Sequence, residues 1–290
     1  MLRSRTTRIQ ASTSTSARAQ DRTPVRRSRV LAVLLATGAS AAVLTAAPLA
    51  GSANAGTTKA PVAAPSCVDL LLLGARGSGQ WAAGHDDDRG YGPQVRIAVD
   101  RLVADLRADG VTTLDEPVDY PAEGMQTFAV NPKKYWAGVE KGVTWVQQRV
   151  SSFRASCPTS SVALLGYSQG SIVMHRVLQR GVDGTSNRSW LGAAVLIADA
   201  DRVAFDNTTN HGSAGAGTTG MAQKAGSVSG SSSTKLASWS SDLVHSVCNE
   251  GDTFCSNTAN NSTHYGYKGT PEVLEALAEA EESLVARAGQ

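Results

Sequence analysis

The sequence ALLGYSQGSIVMH, residues 163–175, places the motif Gly166-x-Ser168-x-Gly170 between two segments of different hydrophobic periodicity. Residues 161–165 form a short apolar run typical of a buried strand, and apolar residues after the motif recur at helical spacing. A sharp turn from strand to helix needs glycine on both sides of its central residue, and it places that residue beside the free N–H groups of a helix N-terminus. The segment therefore predicts a nucleophile elbow with Ser168 as the nucleophile.

The rest of the chain alternates between strand and helix patterns. Four further apolar runs are predicted to be strands, at 68–73, 111–120, 191–197 and 243–247. Amphipathic helices are predicted around residues 95–106, 136–150 and 274–285. Such alternation is typical of a mostly parallel sheet covered by helices on both faces. We therefore predict one α/β domain with a five-stranded sheet.

The N-terminal 66 residues are predicted to lie outside this domain. Arginines precede an Ala-rich apolar run at 30–50, and a small-residue A-x-A site follows it, so residues 1–55 have the pattern of a secretory signal cut after Ala55. The alternative is a membrane-spanning anchor, which the small residues and a proline in the run disfavour. Residues 56–66 are predicted to link the signal to a domain at 67–290. The export route, general secretory or twin-arginine, stays open.

The charge balance of the chain changes once this signal is set aside. The whole sequence has a formal net charge of +2, but the signal holds eight Arg and one Asp. The remainder carries 19 basic and 24 acidic side chains, a net charge of −5. A domain of this charge has no basic footprint for nucleic acid, so we expect no nucleic-acid partner.

All four cysteines, Cys67, Cys157, Cys248 and Cys255, lie in the predicted domain. An even number in an exported protein predicts disulfides, for which three connectivities exist. We favour Cys67–Cys157 and Cys248–Cys255, the second pair being only seven residues apart. Metal binding is the alternative, but the sequence has no C-x2-C pair and no histidine at ligand spacing from these residues, so no metal is predicted.

Residues 206–235 interrupt the alternation of strands and helices. They are dominated by Gly, Ser, Thr and Ala, with few large apolar residues, and are predicted to form a flexible, exposed insertion. A lid over the site is the alternative. A lid needs an apolar underside, which this segment lacks.

A serine nucleophile needs a base, because its hydroxyl is barely ionised at neutral pH. His264 lies in a polar loop before the last predicted helix, in agreement with the order of nucleophile, acid and base along chains of this type. His175 is expected at the surface or in packing. His85 and His211 lie in polar loops, and His245 lies in the fifth predicted strand.

Two carboxylates compete for the role of orienting His264. Asp252 lies between Cys248 and Cys255, where a short disulfide loop would hold it rigidly. Asp199 follows the fourth predicted strand, and the end of a strand is also a common position for the acid. The residues alone favour Asp252 but leave Asp199 open.

The backbone N–H groups that would stabilise an oxyanion are predicted at two places. Gln169 follows the nucleophile and donates from the start of the helix. The glycine-rich loop GARGSG at 74–79 follows the first strand, and Ser78 is the expected donor there. This loop lacks the G-x-G-x-x-G spacing of a dinucleotide site, so no such cofactor is predicted.

Together these features resemble the cutinase family, which includes cutinases, related lipid esterases and acetylxylan esterases. The resemblance covers about residues 67–287. It rests on the elbow and on five further motifs: GARGSGQ at 74–80, VDYPA at 118–122, ASCP at 155–158, CNEGDTFC at 248–255 and HYGY at 264–267.

The resemblance implies a five-stranded α/β-hydrolase sheet with an exposed serine and no lid. It implies that Ser168 is the nucleophile, Asp252 the acid and His264 the base, with Ser78 and Gln169 forming the oxyanion hole. It also implies the Cys67–Cys157 and Cys248–Cys255 disulfides. Two features depart from the family, the long 206–235 insertion and the polar segment between Asp252 and His264.

The sequence thus predicts a secreted, extracellular serine esterase that works as a monomer without cofactor or metal. Its expected substrate is a carboxylic ester in a lipid, a polyester or an acetylated polysaccharide, and the polar segment before His264 favours short to medium acyl chains. An acetylxylan esterase is the alternative within the class. A secreted binding protein that has lost activity is the alternative outside it.

Overall fold

The computed structural model describes residues 67–81, 88–183, 188–258 and 261–289. The predicted signal at 1–55 and linker at 56–66 lie outside the described residues. Within the described ranges, no helix combines the length and the apolar character that a membrane crossing needs.

Six parallel strands form one sheet in the order β2-β1-β3-β4-β6-β5. They are β1 (Leu70–Ala75), β2 (Thr113–Pro117), β3 (Ser161–Tyr167), β4 (Leu191–Ile197), β5 (Thr209–His211) and β6 (Val244–Val247). All five predicted strands are present. The sixth, β5, was not predicted.

Four long helices cover the two faces of the sheet, and three short ones lie in the connections. They are α1 (Gly92–Ala108), α2 (Met125–Val130), α3 (Pro132–Ser156), α4 (Gln169–Arg180), α5 (Met221–Ala225), α6 (Asn261–Tyr265) and α7 (Pro271–Ala288). The sequence of strand β1 is a continuous apolar run because both faces of the strand are buried. Leu71 and Leu73 pack with α3 and α4, whereas Leu70 and Leu72 pack with α1 and α7.

Strand β5 lies inside the 206–235 segment, and it corrects the expectation that this segment is an exposed excursion. The strand pairs with β6 at the edge of the sheet. Ala214 and Ala222 of the same segment are buried. Its backbone is hydrogen-bonded to the rest of the fold, for example from the Ala222 N–H to the Ala200 carbonyl at 2.9 Å. A segment of small residues can therefore be buried without large apolar side chains, because its backbone N–H and C=O groups are hydrogen-bonded.

Both predicted disulfides are confirmed. Cys67–Cys157 joins the residues before β1 to the end of α3, and Cys248–Cys255 closes a loop directly after β6. Because parallel strands end at the same edge of the sheet, the turn after β3 and the loop after β6 lie at that edge.

Candidate active site

Ser168 occupies the turn between β3 and α4 with φ 54° and ψ −116°. This conformation is unfavourable for a residue with a side chain and costs on the order of 1–3 kcal/mol. The turn is held by a hydrogen bond from the Ser168 N–H to the Ile197 carbonyl of β4, at 2.9 Å. Strand pairing therefore keeps Ser168 in the strained geometry that the elbow motif predicts.

The two glycines of the motif are required by close backbone approach. A Cβ atom on Gly166 would lie 2.7 Å from the Gly170 carbonyl oxygen and from the Ser171 backbone. A Cβ atom on Gly170 would overlap the Ala75 carbonyl at the end of β1. The absence of both side chains lets α4 start directly against β1 and the loop that follows it.

His264 lies in α6, and its ring connects the serine to an acid. Its Nε2 is 2.9 Å from Ser168 Oγ, and its Nδ1 is 2.9 Å from Asp252 Oδ2. The ring is buried between Tyr167, stacked at a centroid distance of 5.2 Å, and Phe254, at 4.2 Å. The Tyr167 hydroxyl also donates to the His264 carbonyl at 2.8 Å, which fixes the backbone of α6.

Asp252 is fully buried in the Cys248–Cys255 loop, with both carboxylate oxygens engaged. Its Oδ2 faces His264, and its Oδ1 accepts hydrogen bonds from the N–H groups of Phe254 at 2.6 Å and Cys255 at 3.1 Å. Burial by itself would raise the pKa of Asp252, but the hydrogen bond and charge of His264 and the two backbone donors outweigh it, so this pKa is lowered. The carboxylate is thus ionised and held rigidly at neutral pH.

The loop that carries Ser78 is fastened beside the elbow by the buried side chain of Arg76. Its Nε donates to the Gln80 carbonyl at 2.9 Å and its Nη1 to the Val118 carbonyl at 3.1 Å, while Nη2 donates to the Tyr120 carbonyl. The Arg76 hydrogen bonds therefore join the GARGSGQ motif to the VDYPA motif.

The two predicted oxyanion donors lie at the ends of these fixed elements. The Ser78 hydroxyl donates to the Glu123 carbonyl at 2.7 Å, which leaves its backbone N–H as the candidate donor. Gln169 is buried and is the first residue of α4, where a backbone N–H has no partner within the helix.

The other three described histidines have different partners. His175 is not at the surface: it is buried, and its Nδ1 is 2.5 Å from Oδ2 of Asp199, the alternative acid. His211 and His245 lie together on β5 and β6 beside Glu279 of α7. Burial, together with the charge of His211, lowers the pKa of His245 to about 4. His85 lies outside the described residues.

The parallel sheet, the elbow and the serine–histidine–aspartate arrangement define an α/β hydrolase. A family model described as Cutinase matches residues 66–278, so the chain belongs to the cutinase family.

Similar proteins agree with this assignment. Acetylxylan esterase 2 of Talaromyces purpureogenus is 29% identical over 175 residues, which are 56% of this chain and 69% of that protein. A solved acetylxylan esterase structure is 26% identical with a TM-score of 0.57, over 76% of this chain and 100% of that one. A cutinase-like protein from Cryptococcus sp., at 19% identity and a TM-score of 0.56, shares the fold over 78% of this chain and 98% of its own. The chain is a carboxylic ester hydrolase.

Proposed function

We propose that this esterase works through an acyl-enzyme on Ser168, with His264 as general base and Asp252 as the residue that orients it. The observation that carries the proposal is the pair of 2.9 Å distances, from His264 Nε2 to Ser168 Oγ and from His264 Nδ1 to Asp252 Oδ2. Ser168 Oγ attacks the ester carbonyl as His264 removes its proton, and Asp252 stabilises the imidazolium.

The backbone N–H groups of Ser78 and Gln169 stabilise the tetrahedral oxyanion in this proposal. His264 then protonates the leaving alcohol, and water attacks the acyl-enzyme with His264 again as the base. Each step uses side chains and backbone of this chain alone, so we propose no cofactor or catalytic metal.

The test is the rate of p-nitrophenyl acetate hydrolysis by Ser168→Ala. We expect the variant to fold, with an unchanged circular dichroism spectrum and Tm, and to lose at least about three orders of magnitude in kcat. Ser171→Ala is the matched control, since Ser171 is also buried near the start of α4 but donates to the Ile197 carbonyl. A Ser168→Ala variant that keeps a tenth of the activity contradicts the proposal.

We propose short acyl chains, of about two to six carbons, as the preferred substrates. Each CH2 group contributes about 0.8 kcal/mol only if it leaves water. The loop before His264 offers Asn257 and Thr258, which are polar, and Tyr265 after it is 65% exposed. Phe128 is partly buried and packs its ring against Tyr135 and Trp136, which reduces the apolar surface that it offers to an acyl chain.

Acetylated xylan is the second candidate substrate, favoured by the 29% identical acetylxylan esterase and the 26% identical acetylxylan esterase structure. A series of p-nitrophenyl esters from two to twelve carbons, with acetate release from acetylated xylan measured in parallel, separates the possibilities. We expect kcat/KM to fall steeply beyond six carbons without activation at a lipid–water interface. A preference for twelve carbons contradicts this proposal but leaves the proposed chemistry unaffected.

We also propose that residues 1–55 are a secretory signal and that the domain acts outside the cell as a monomer. Its two disulfides support this location, because disulfides persist in oxidising compartments. N-terminal sequencing of the exported protein and its elution volume in size-exclusion chromatography test the two statements.

A further inference from the structure

A second cluster of chemically capable side chains lies on the sheet edge formed by β5 and β6. The parallel register pairs Thr209 with His245 and His211 with Val247. Because side chains alternate along a strand, His211 and His245 point to the same face of the sheet. Helix α7 contacts both strands, and Glu275 and Glu279 are one helical turn apart on it.

Three ligand atoms in this cluster form a nearly equilateral triangle. His211 Nε2 is 3.2 Å from His245 Nδ1, and Glu279 Oε2 is 3.6 Å from the former and 3.4 Å from the latter. A tetrahedral Zn²⁺ site with bonds of about 2.0–2.1 Å has ligand atoms separated by about 3.3–3.4 Å. The three atoms are thus spaced as three corners of such a tetrahedron.

We propose that His211, His245 and Glu279 bind one Zn²⁺ ion, with water as the fourth ligand. Two imidazoles and one carboxylate are a donor set typical of zinc sites. Magnesium and calcium instead take oxygen ligands, so this set favours zinc over them. Both imidazole rings are buried, so they are held in place before the ion arrives.

The surroundings of the triangle also suit a divalent cation. Glu275 Oε2 lies 3.5 Å from His211 Nδ1, on the opposite side of the ring from the triangle. A carboxylate there favours the tautomer with the proton on Nδ1, which leaves the Nε2 lone pair for the metal. Glu275 and Glu279 are like charges at i,i+4, an arrangement that is unfavourable in a helix until a cation offsets it.

The ion would stabilise the fold rather than take part in ester hydrolysis. It would join the edge strand β5, its neighbour β6 and the C-terminal helix α7. The 206–235 segment, which has few large apolar residues, would gain a cross-link at the point where it enters the sheet. Binding to the native state alone raises stability by mass action.

The test is zinc titration of the full chain after treatment with EDTA, followed by calorimetry and thermal unfolding. We expect one Zn²⁺ per chain and, at free zinc about tenfold above Kd, a rise in Tm of about 3–6 °C. Co²⁺ bound in its place should give the visible absorption of tetrahedral coordination, whereas Mg²⁺ should not change Tm.

Glu279→Gln is the decisive variant, since the side chain is 43% exposed and its amide is isosteric. We expect it to weaken zinc binding at least about tenfold. Glu282→Gln, an exposed carboxylate on the same helix, is the matched control and should bind zinc like the wild type. Zinc binding that is equally strong in Glu279→Gln, or the absence of a stoichiometric site in the wild type, overturns the proposal.

Discussion

Two buried pairs of histidine and aspartate in the described part of the chain share one contact and differ in another. In each, histidine Nδ1 faces aspartate Oδ2, at 2.9 Å for His264–Asp252 and at 2.5 Å for His175–Asp199. The second ring nitrogen distinguishes them. His264 Nε2 faces the Ser168 hydroxyl at 2.9 Å, whereas His175 Nε2 faces a second carboxylate, Asp206 Oδ2, at 3.7 Å.

This difference assigns different chemistry to the two rings. Burial by itself would lower the pKa of His175, but the charge and hydrogen bond of Asp199, with the charges of Asp201 and Asp206, raise it to about 9. His175 is therefore an ion-paired cation at neutral pH and cannot accept a proton. His264 has a hydroxyl instead of a second carboxylate beside its Nε2, which is the arrangement of a base. Whether a histidine–aspartate pair is a candidate for catalysis thus depends on the group that contacts its second ring nitrogen, Nε2.

The largest expected effect comes from removing the acid of each pair in turn. We expect Asp252→Asn to lower kcat by about 10³–10⁴ with KM nearly unchanged, because the amide spoils the orientation and tautomer of His264 without touching the ester. Asp199→Asn should leave kcat within about threefold and lower Tm, because it leaves a buried cation poorly paired. Steady-state kinetics on p-nitrophenyl acetate and thermal unfolding measure both. If Asp199→Asn is the costlier change in kcat, Asp252 is not the acid.

Sequence reasoning found the elbow but could not separate the two acids, for a physical reason. The G-x-S-x-G turn is local, so the residues that force it are adjacent and visible in the sequence. Which carboxylate a histidine meets depends on contacts between distant segments, 24 residues apart for His175 and Asp199 and 12 for His264 and Asp252. Both aspartates follow strands, so position alone favours neither strongly, and only the resemblance to the cutinase family separates them.

The sequence does not predict the sixth strand, and it leaves His175 open between the surface and packing, for related reasons. Strand β5 has three residues, Thr-Asn-His, and no apolar alternation, and only its pairing with β6 defines it. His175 lies in a helix whose buried residues extend around most of its circumference. A polar residue on such a helix indicates a buried partner, and this signal was available in the sequence.

The second-largest expected effect is a pH dependence of the free energy of unfolding that comes from the His175–Asp199 pair. The pKa of His175 is raised in the folded state, so its contribution to stability is fully present below the unfolded pKa of about 6.5 and is lost as pH rises through about 9. A shift of this size corresponds to a loss on the order of 2–4 kcal/mol between pH 6.5 and pH 9. Urea unfolding at several pH values measures it. Asp199→Asn removes the principal partner and should flatten the decline. Equal slopes in the two proteins would show that His175 is not the group responsible.

The smallest expected effect concerns the rigidity of the loop that holds Asp252, a feature that the His175–Asp199 pair does not share. The Cys248–Cys255 disulfide closes a loop with a sequence separation of only seven. Within it, the Asp252 carboxylate is also held by the N–H groups of Phe254 and Cys255. Opening the disulfide in a Cys248→Ala/Cys255→Ala variant should leave these hydrogen bonds possible but less populated, so that His264 is oriented for only part of the time.

A loss of orientation without loss of the charge is expected to lower kcat by about tenfold, which is about 1.4 kcal/mol in activation free energy, with KM unchanged. The Cys67→Ala/Cys157→Ala variant is the matched control. Its disulfide spans a sequence separation of 90 far from Asp252 in the chain, so its loss should lower the free energy of unfolding more but leave kcat within about twofold. Kinetics at a temperature where both variants are folded compare them. Equal losses of kcat in the two variants would mean that disulfides act on activity only through global stability, and that the loop around Asp252 has no separate positioning role.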